Sequence, residues 1–210
     1  MESNSTSSSS ADVTRASLLI RLNLEGPARE VAWAEFYDLY APVIAGFARR
    51  IGTRPQDVDD LVQEVLKAFF RASPEFVYDP GKGRFRGYLK TCVWHKMAEA
   101  RRGRRRRCGP DGGDRIDPAA LSEVEVEAAW NDVWETEKLG RALAVVRQRY
   151  SVNAERQRTF RAFELSALLD RPTEQVAAEL GFSAEGVRAA KSRVSRAVRE
   201  AFDGLDGITG

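Results

Sequence analysis

The amino-acid sequence predicts an all-α protein: two small helical domains joined by an acidic linker, the second containing a helix-turn-helix. Three observations carry that expectation. Apolar residues recur at helical spacing in one stripe after another, and nowhere do they alternate as in a strand. The breakers Gly26-Pro27, Gly52 and Pro80-Gly81 fall between successive stripes. Charge is segregated along the chain. Residues 84–107 carry 10 basic groups and one acid, residues 108–140 carry 9 acids and 2 bases, and residues 141–202 carry 12 bases and 7 acids. Two basic blocks separated by an acidic one predict two polyanion-binding surfaces joined by a segment that avoids polyanions.

Residues 1–13 are Ser-rich and lack both a basic start and an apolar core, so a disordered tail is expected there and not a secretory signal. The first domain is expected over residues 14–107. Thr14 is placed to cap a short helix through Leu18, Leu19 and Leu22. A second helix is expected from Arg29 to Ile51, burying Val31, Phe36, Leu39, Tyr40, Val43, Ile44 and Phe47. Pro55 stands where a first-turn proline belongs. The third helix has the cleanest stripe, Val58, Leu61, Val62, Val65, Leu66, Phe69 and Phe70, with Asp60, Gln63, Glu64, Lys67 and Arg71 on its other side. Residues 73–83 read as a loop. A fourth helix starts near Arg84 and runs into Arg104–Arg107, with Phe85, Leu89, Cys92, Met97 and Ala100 as its buried stripe.

The acidic linker is expected over residues 108–136, turning helical toward Trp130 and Trp134. The second domain spans residues 137–202, before a tail at 203–210. Leu139, Ala142, Leu143, Val146 and Tyr150 form one stripe there, and Phe160, Phe163, Ala167 and Leu168 another. Thr173–Leu180, Gly181-Phe182-Ser183 and a helix from Ala184 to about Phe202 have helix-turn-helix grammar. Ser183 is a good N-cap and Gly181 suits the positive φ that ends the first helix. The second helix would bury Val187, Ala190, Val194 and Val198 or Ala197 and present Arg188, Lys191, Ser192, Arg193 and Arg196. An ordinary helical hairpin with a solvated basic face has the same pattern.

Composition excludes several classes. Two cysteines, Cys92 and Cys108, and one histidine, His95, are too few for the usual Cys/His zinc sites and for a disulfide scaffold, so a cytoplasmic setting is expected. No apolar run approaches the ~20 residues of a membrane span. Gly81-Lys82-Gly83 lacks the rest of a phosphate-binding loop, and no carboxylate is paired with a base or metal partner. No catalytic residue, metal or cofactor is expected. On the fourth helix Lys90, Trp94, Arg101 and Arg105 lie roughly on one face, with His95 and Arg102 beside them. Aromatic rings among cations suit single-stranded nucleic acid, since bases stack on rings at ~1–3 kcal/mol each while cations follow the backbone. Trp94 fits a packing role equally well. The preceding loop adds Phe76, Tyr78, Lys82, Arg84 and Arg86 to the same surface.

Asp59-Asp60-Leu61-Val62-Gln63-Glu64-Val65 resembles the signature helix of the core domain of bacterial sigma factors. Gly83-Arg84-Phe85-Arg86-Gly87-Tyr88-Leu89 and the arginine run resemble that domain's promoter-melting segment, and Arg171–Gly181 with Ala190–Val194 resembles the family's carboxy-terminal domain. By these segments, in this order, the chain is similar to sigma factors of the extracytoplasmic-function type. The resemblance implies that Asp60, Gln63 and Glu64 bind the clamp of the largest subunit of core RNA polymerase, and that the flap of the second-largest subunit is a further contact. It implies that Phe76, Tyr78, Lys82, Arg84, Arg86, Lys90, Trp94, Arg101 and Arg102 serve the −10 element of promoter DNA. It likewise implies that Ser183, Glu185, Arg188, Lys191, Ser192, Arg193 and Arg196 serve the −35 element. Members are often held by an anti-sigma protein, and no membrane contact is implied. One departure stands out: Arg188-Ala189-Ala190 intervene before Lys191-Ser192-Arg193-Val194, which the family places directly after the residue matching Val187. A repressor using only the helix-turn-helix would leave the Asp60, Gln63, Glu64 face idle, and an RNA-binding protein would use the arginine run alone.

Overall fold

The computed structural model describes residues 18–73, 85–108 and 120–205, and all regular structure among them is helical. In chain order the helices are α1 (residues 18–21), α2 (Pro27–Arg50), α3 (Pro55–Ala72), α4 (Phe85–Cys108), α5 (Glu123–Tyr150), α6 (Ala154–Phe163), a π-helical turn (Glu164–Leu168), α7 (Thr173–Leu180) and α8 (Ala184–Gly204). They form two compact units that divide after Glu137. Among the described residues no helix is long and apolar enough to cross a membrane.

In the first unit Gly26, at φ 72°, turns the chain into α2, and Pro27 and Pro55 open α2 and α3 where a missing N–H costs nothing. Phe36 of α2 stacks on Phe69 of α3 at 4.8 Å with an interplanar angle of 10°. Phe85 of α4 meets both rings edge-on, at 5.9 and 5.5 Å. Around this contact α2 buries Tyr40, Val43, Ile44 and Phe47, and small residues Ala32, Ala41, Ala45 and Ala48 let its neighbours approach. Val31, expected in this stripe, is 55% exposed, and Phe70 at the edge of the α3 stripe is 45% exposed. On α4 the buried row is Phe85, Leu89, Val93 and Met97. Val93 takes the place expected for Cys92, which is half-buried, and Ala100 is exposed. Members four residues apart turn the row by about 40° at each step, so that at Val93 the buried face lies about 100° from Cys92.

The largest difference from expectation lies in residues 120–136. Ser122 Oγ accepts the Glu125 N–H at 3.3 Å, and the Glu125 carboxylate accepts the Ser122 N–H at 2.8 Å. This reciprocal box starts a helix, α5, that runs unbroken to Tyr150. Its Trp130 is 1% exposed and meets Phe47 edge-on at 5.0 Å, while Trp134 lies 5.5 Å from Trp130 and is also buried. A Cβ at Gly46 of α2 would come within 2.8 Å of Val133 Cγ1, so the glycine admits α5 to the bundle. The stretch expected as the second half of a linker is therefore part of the first unit's core; its first half, residues 109–119, lies outside the described residues.

In the second unit the turns of α5 from Lys138 onward, α6, the π-helical turn, α7 and α8 surround two apolar clusters. Ala142, Val146, Phe160, Phe163, Val194 and Val198 make one; Ala162, Leu165, Val176, Ala177, Val187 and Ala190 make the other. The Lys138 side chain is buried with its ammonium 3.6 Å from the centre of the Phe202 ring. Asn153 caps α6 by accepting the Arg156 N–H at 2.9 Å. Leu139 and Leu168, expected to be buried, are exposed. The π-helical turn widens the repeat and carries Leu168 off the buried face of α6. Gly181, at φ 64°, ends α7, and Ser183 Oγ caps α8 by accepting the Gly186 N–H at 3.0 Å.

Two stability outcomes follow. Trp130→Ala should destabilise the first unit by about 3–5 kcal/mol, the usual cost of emptying a buried aromatic site, read by chemical denaturation. Ser183→Ala should cost the second unit about 1 kcal/mol, and Ser183→Asp should restore it, because both effects act through the α8 cap.

Candidate polymerase and nucleic-acid surfaces

Asp60, Gln63 and Glu64 are all exposed on α3, away from the row Val58, Leu61, Val62 and Val65 that faces the core. Glu64 pairs with Lys67 at 3.2 Å. The three residues sit between two depressions of different character. On one side Asp60 and Glu64 border a polar cleft of about 430 Å³ shared with Asp57, Lys96, Arg101 and Arg104. Within it Asp57 bridges Arg54 at 2.7 Å and Arg104 at 3.3 Å, tying the start of α3 to the last turns of α4. On the other side Gln63 and Lys67 edge an apolar groove lined by Trp33, Tyr37, Leu66 and Phe70. The Arg29 guanidinium lies 4.6 Å from the centre of the Phe70 ring. Periodicity marks Phe70 as core and gives Tyr37 no role, so neither was expected to line a groove.

Of the residues expected at the −10 element, Phe76, Tyr78, Lys82 and Arg84 lie outside the described residues. Arg86, Lys90, Trp94, Arg101 and Arg102 are on α4. Trp94 is partly buried against the first unit's core. Arg101 lines the polar cleft, and Arg102 is exposed. Lys90 pairs with Glu127 of α5. Arg86 donates to Asn131 Oδ1, and its guanidinium lies 5.0 Å from the centre of the Trp134 ring. Nearby, Lys96 holds the Glu99 carboxyl below the usual carboxylate range. Burial pushes the Tyr88 phenol up to about 12 and raises the Cys92 thiol as well. Both stay protonated and neutral at neutral pH, so neither adds negative charge among the Arg and Lys residues of α4.

On α8 Glu185, Arg188, Ser192, Arg193 and Arg196 are exposed and lie off the buried row Val187, Ala190, Val194 and Val198. Two expected contacts have structural partners. Ser183 is the α8 cap. Lys191, also exposed, lies nearer the buried row and donates to the Ser166 carbonyl at 3.2 Å, a group in the π-helical turn. Arg158 of α6, which no motif flagged, lies 4.7 Å from the centre of the Phe182 ring in the turn between α7 and α8.

Residues 36–107 match the family model of sigma-70 region 2. No curated protein sequence matches the chain. Among solved structures the chain is similar to CnrH in complex with the cytosolic domain of CnrY, at 20% identity over 90% of this chain and 97% of that one, with a TM-score of 0.36. The matched region takes in most of α2, all of α3 and α4 as far as Arg107, and with them Asp60, Gln63, Glu64 and every residue expected at the −10 element. Helices α2 to α4 of the first unit thus carry a segment similar to sigma-70 region 2.

Proposed function

We propose that the protein is a sigma factor of the extracytoplasmic-function type that brings core RNA polymerase to promoters with a −10 and a −35 element and promotes melting at the former. The observation that carries this reading is the joint exposure of Asp60, Gln63 and Glu64 on one helix of region 2, beside a basic helix that supplies Arg86, Lys90, Arg101 and Arg102. In this reading the α3 face meets the clamp of the largest polymerase subunit. Its acids suit basic residues of the clamp, and the groove beyond Gln63 suits an apolar side chain of the same partner. The α4 surface and the segment before it, with Phe76, Tyr78, Lys82 and Arg84, hold the melted −10 strand by phosphate contacts and ring stacking. The α7–α8 pair is a helix-turn-helix that reads the −35 duplex, with Arg188, Ser192, Arg193 and Arg196 nearest the groove. The flap of the second-largest subunit engages the same unit.

Charge reversal tests the face on which the rest depends. Asp60→Lys with Glu64→Lys should lower affinity for core polymerase by about tenfold or more, which is 1.4 kcal/mol per decade, while helical content and the denaturation midpoint stay within error. Unchanged binding by the refolded, fully helical variant would remove the α3 face from the interface.

A further inference from the structure

The first turns of α5 place a carboxylate, an amide oxygen and an aromatic ring at the spacing 127, 131, 134, which is one face of a helix. That face lies on α4. Glu127 pairs with Lys90, Asn131 accepts from Arg86, and the Trp134 ring lies beneath the Arg86 guanidinium at 5.0 Å. One residue round the helix, Asp132 reaches Arg50 of α2 at 3.4 Å. An anionic oxygen on a lysine and a π face under a guanidinium are what a single strand offers through its phosphates and bases. We propose that the start of α5 is an internal competitor for the promoter strand, holding in the free chain the α4 cations that the strand later takes. The proposal rests on the assignment of α4 to the −10 element.

The polar contacts are not what anchors α5. Trp130, buried against Phe47, and Val133, seated over Gly46, do that from the adjacent face. Lys90 keeps a quarter of its side chain exposed and Glu127 nearly half. Both can change partners without opening the core. Exchange of Glu127 for a phosphate therefore needs only side-chain movement. It makes strand binding by the free chain weaker than the charge of α4 alone would give.

The test uses the full chain and a short fluorescein-labelled single-stranded oligothymidylate, with anisotropy followed across a salt series. Glu127→Gln with Asn131→Ala should bind about three- to tenfold tighter than the parent, with log K against log salt steeper by about 0.7 for each cation released. Arg86→Ala with Lys90→Ala should bind more weakly. Glu123→Gln removes the same charge from an exposed position of α5 outside the contact and should leave the slope unchanged. Tryptophan emission of each variant reports that Trp130 and Trp134 remain packed. Parent-like affinity and slope in the Glu127/Asn131 variant, with weaker binding in the Arg86/Lys90 variant, would overturn the competitor and leave the strand assignment standing. Equal tightening by Glu123→Gln would reduce the effect to net charge and overturn it too. Parent-like binding by the Arg86/Lys90 variant would remove the strand assignment itself, and the competitor with it.

Discussion

The first unit depends on one aromatic contact, the stack of Phe36 on Phe69 with Phe85 against both. Each ring comes from a different helix, so the contact fixes the rotation of α2, α3 and α4 about their own axes at once. With Phe69 inward, helical geometry turns Asp60, Gln63 and Glu64 outward. With Phe85 inward, and Leu89, Val93 and Met97 following every fourth residue, Arg86 and Lys90 come to the flank that α5 approaches. Both candidate surfaces are consequences of that core and need no separate device to orient them.

A second constraint is laid over the first. Trp130 and Trp134 add α5 to the same bundle, and Gly46 makes room for it. The acids of α5 then have defined places. Glu127 and Asp132 are brought to cations of α4 and α2, so the negative block and the first positive block of the sequence meet in space as well as alternating along the chain. The flank of α4 that carries Arg86 and Lys90 is to that extent partly neutralised within the chain itself.

The sequence made some of this legible and hid the rest for identifiable reasons. The α3 stripe was plain because its apolar residues are large and its outer residues charged. The α4 stripe was harder to read, since Cys92, Val93 and Trp94 are all apolar and only the repeat from Phe85 selects Val93. Acidic composition concealed the start of α5: the six acids among residues 123–138 read as the end of a linker turning helical, yet two tryptophans turn inward, and Ser122-x-x-Glu125 is a helix-start signal that the structure uses. The π-helical turn had no sequence signal, and it governs both the exposure of Leu168 and the carbonyl that takes Lys191. Ser183 was legible as the α8 cap from its type and place, whereas only the fold showed that Lys191 donates to the π-helical turn.

The most direct measurement of the central claim is transcription in vitro with purified core polymerase on genomic fragments, with start sites mapped. The account predicts discrete starts that require both the chain and the core enzyme, preceded by a shared pair of upstream elements, and no tight specific binding of duplex by the chain alone. Tight, sequence-specific duplex binding by the isolated chain, with no start site gained by the core enzyme, would contradict it.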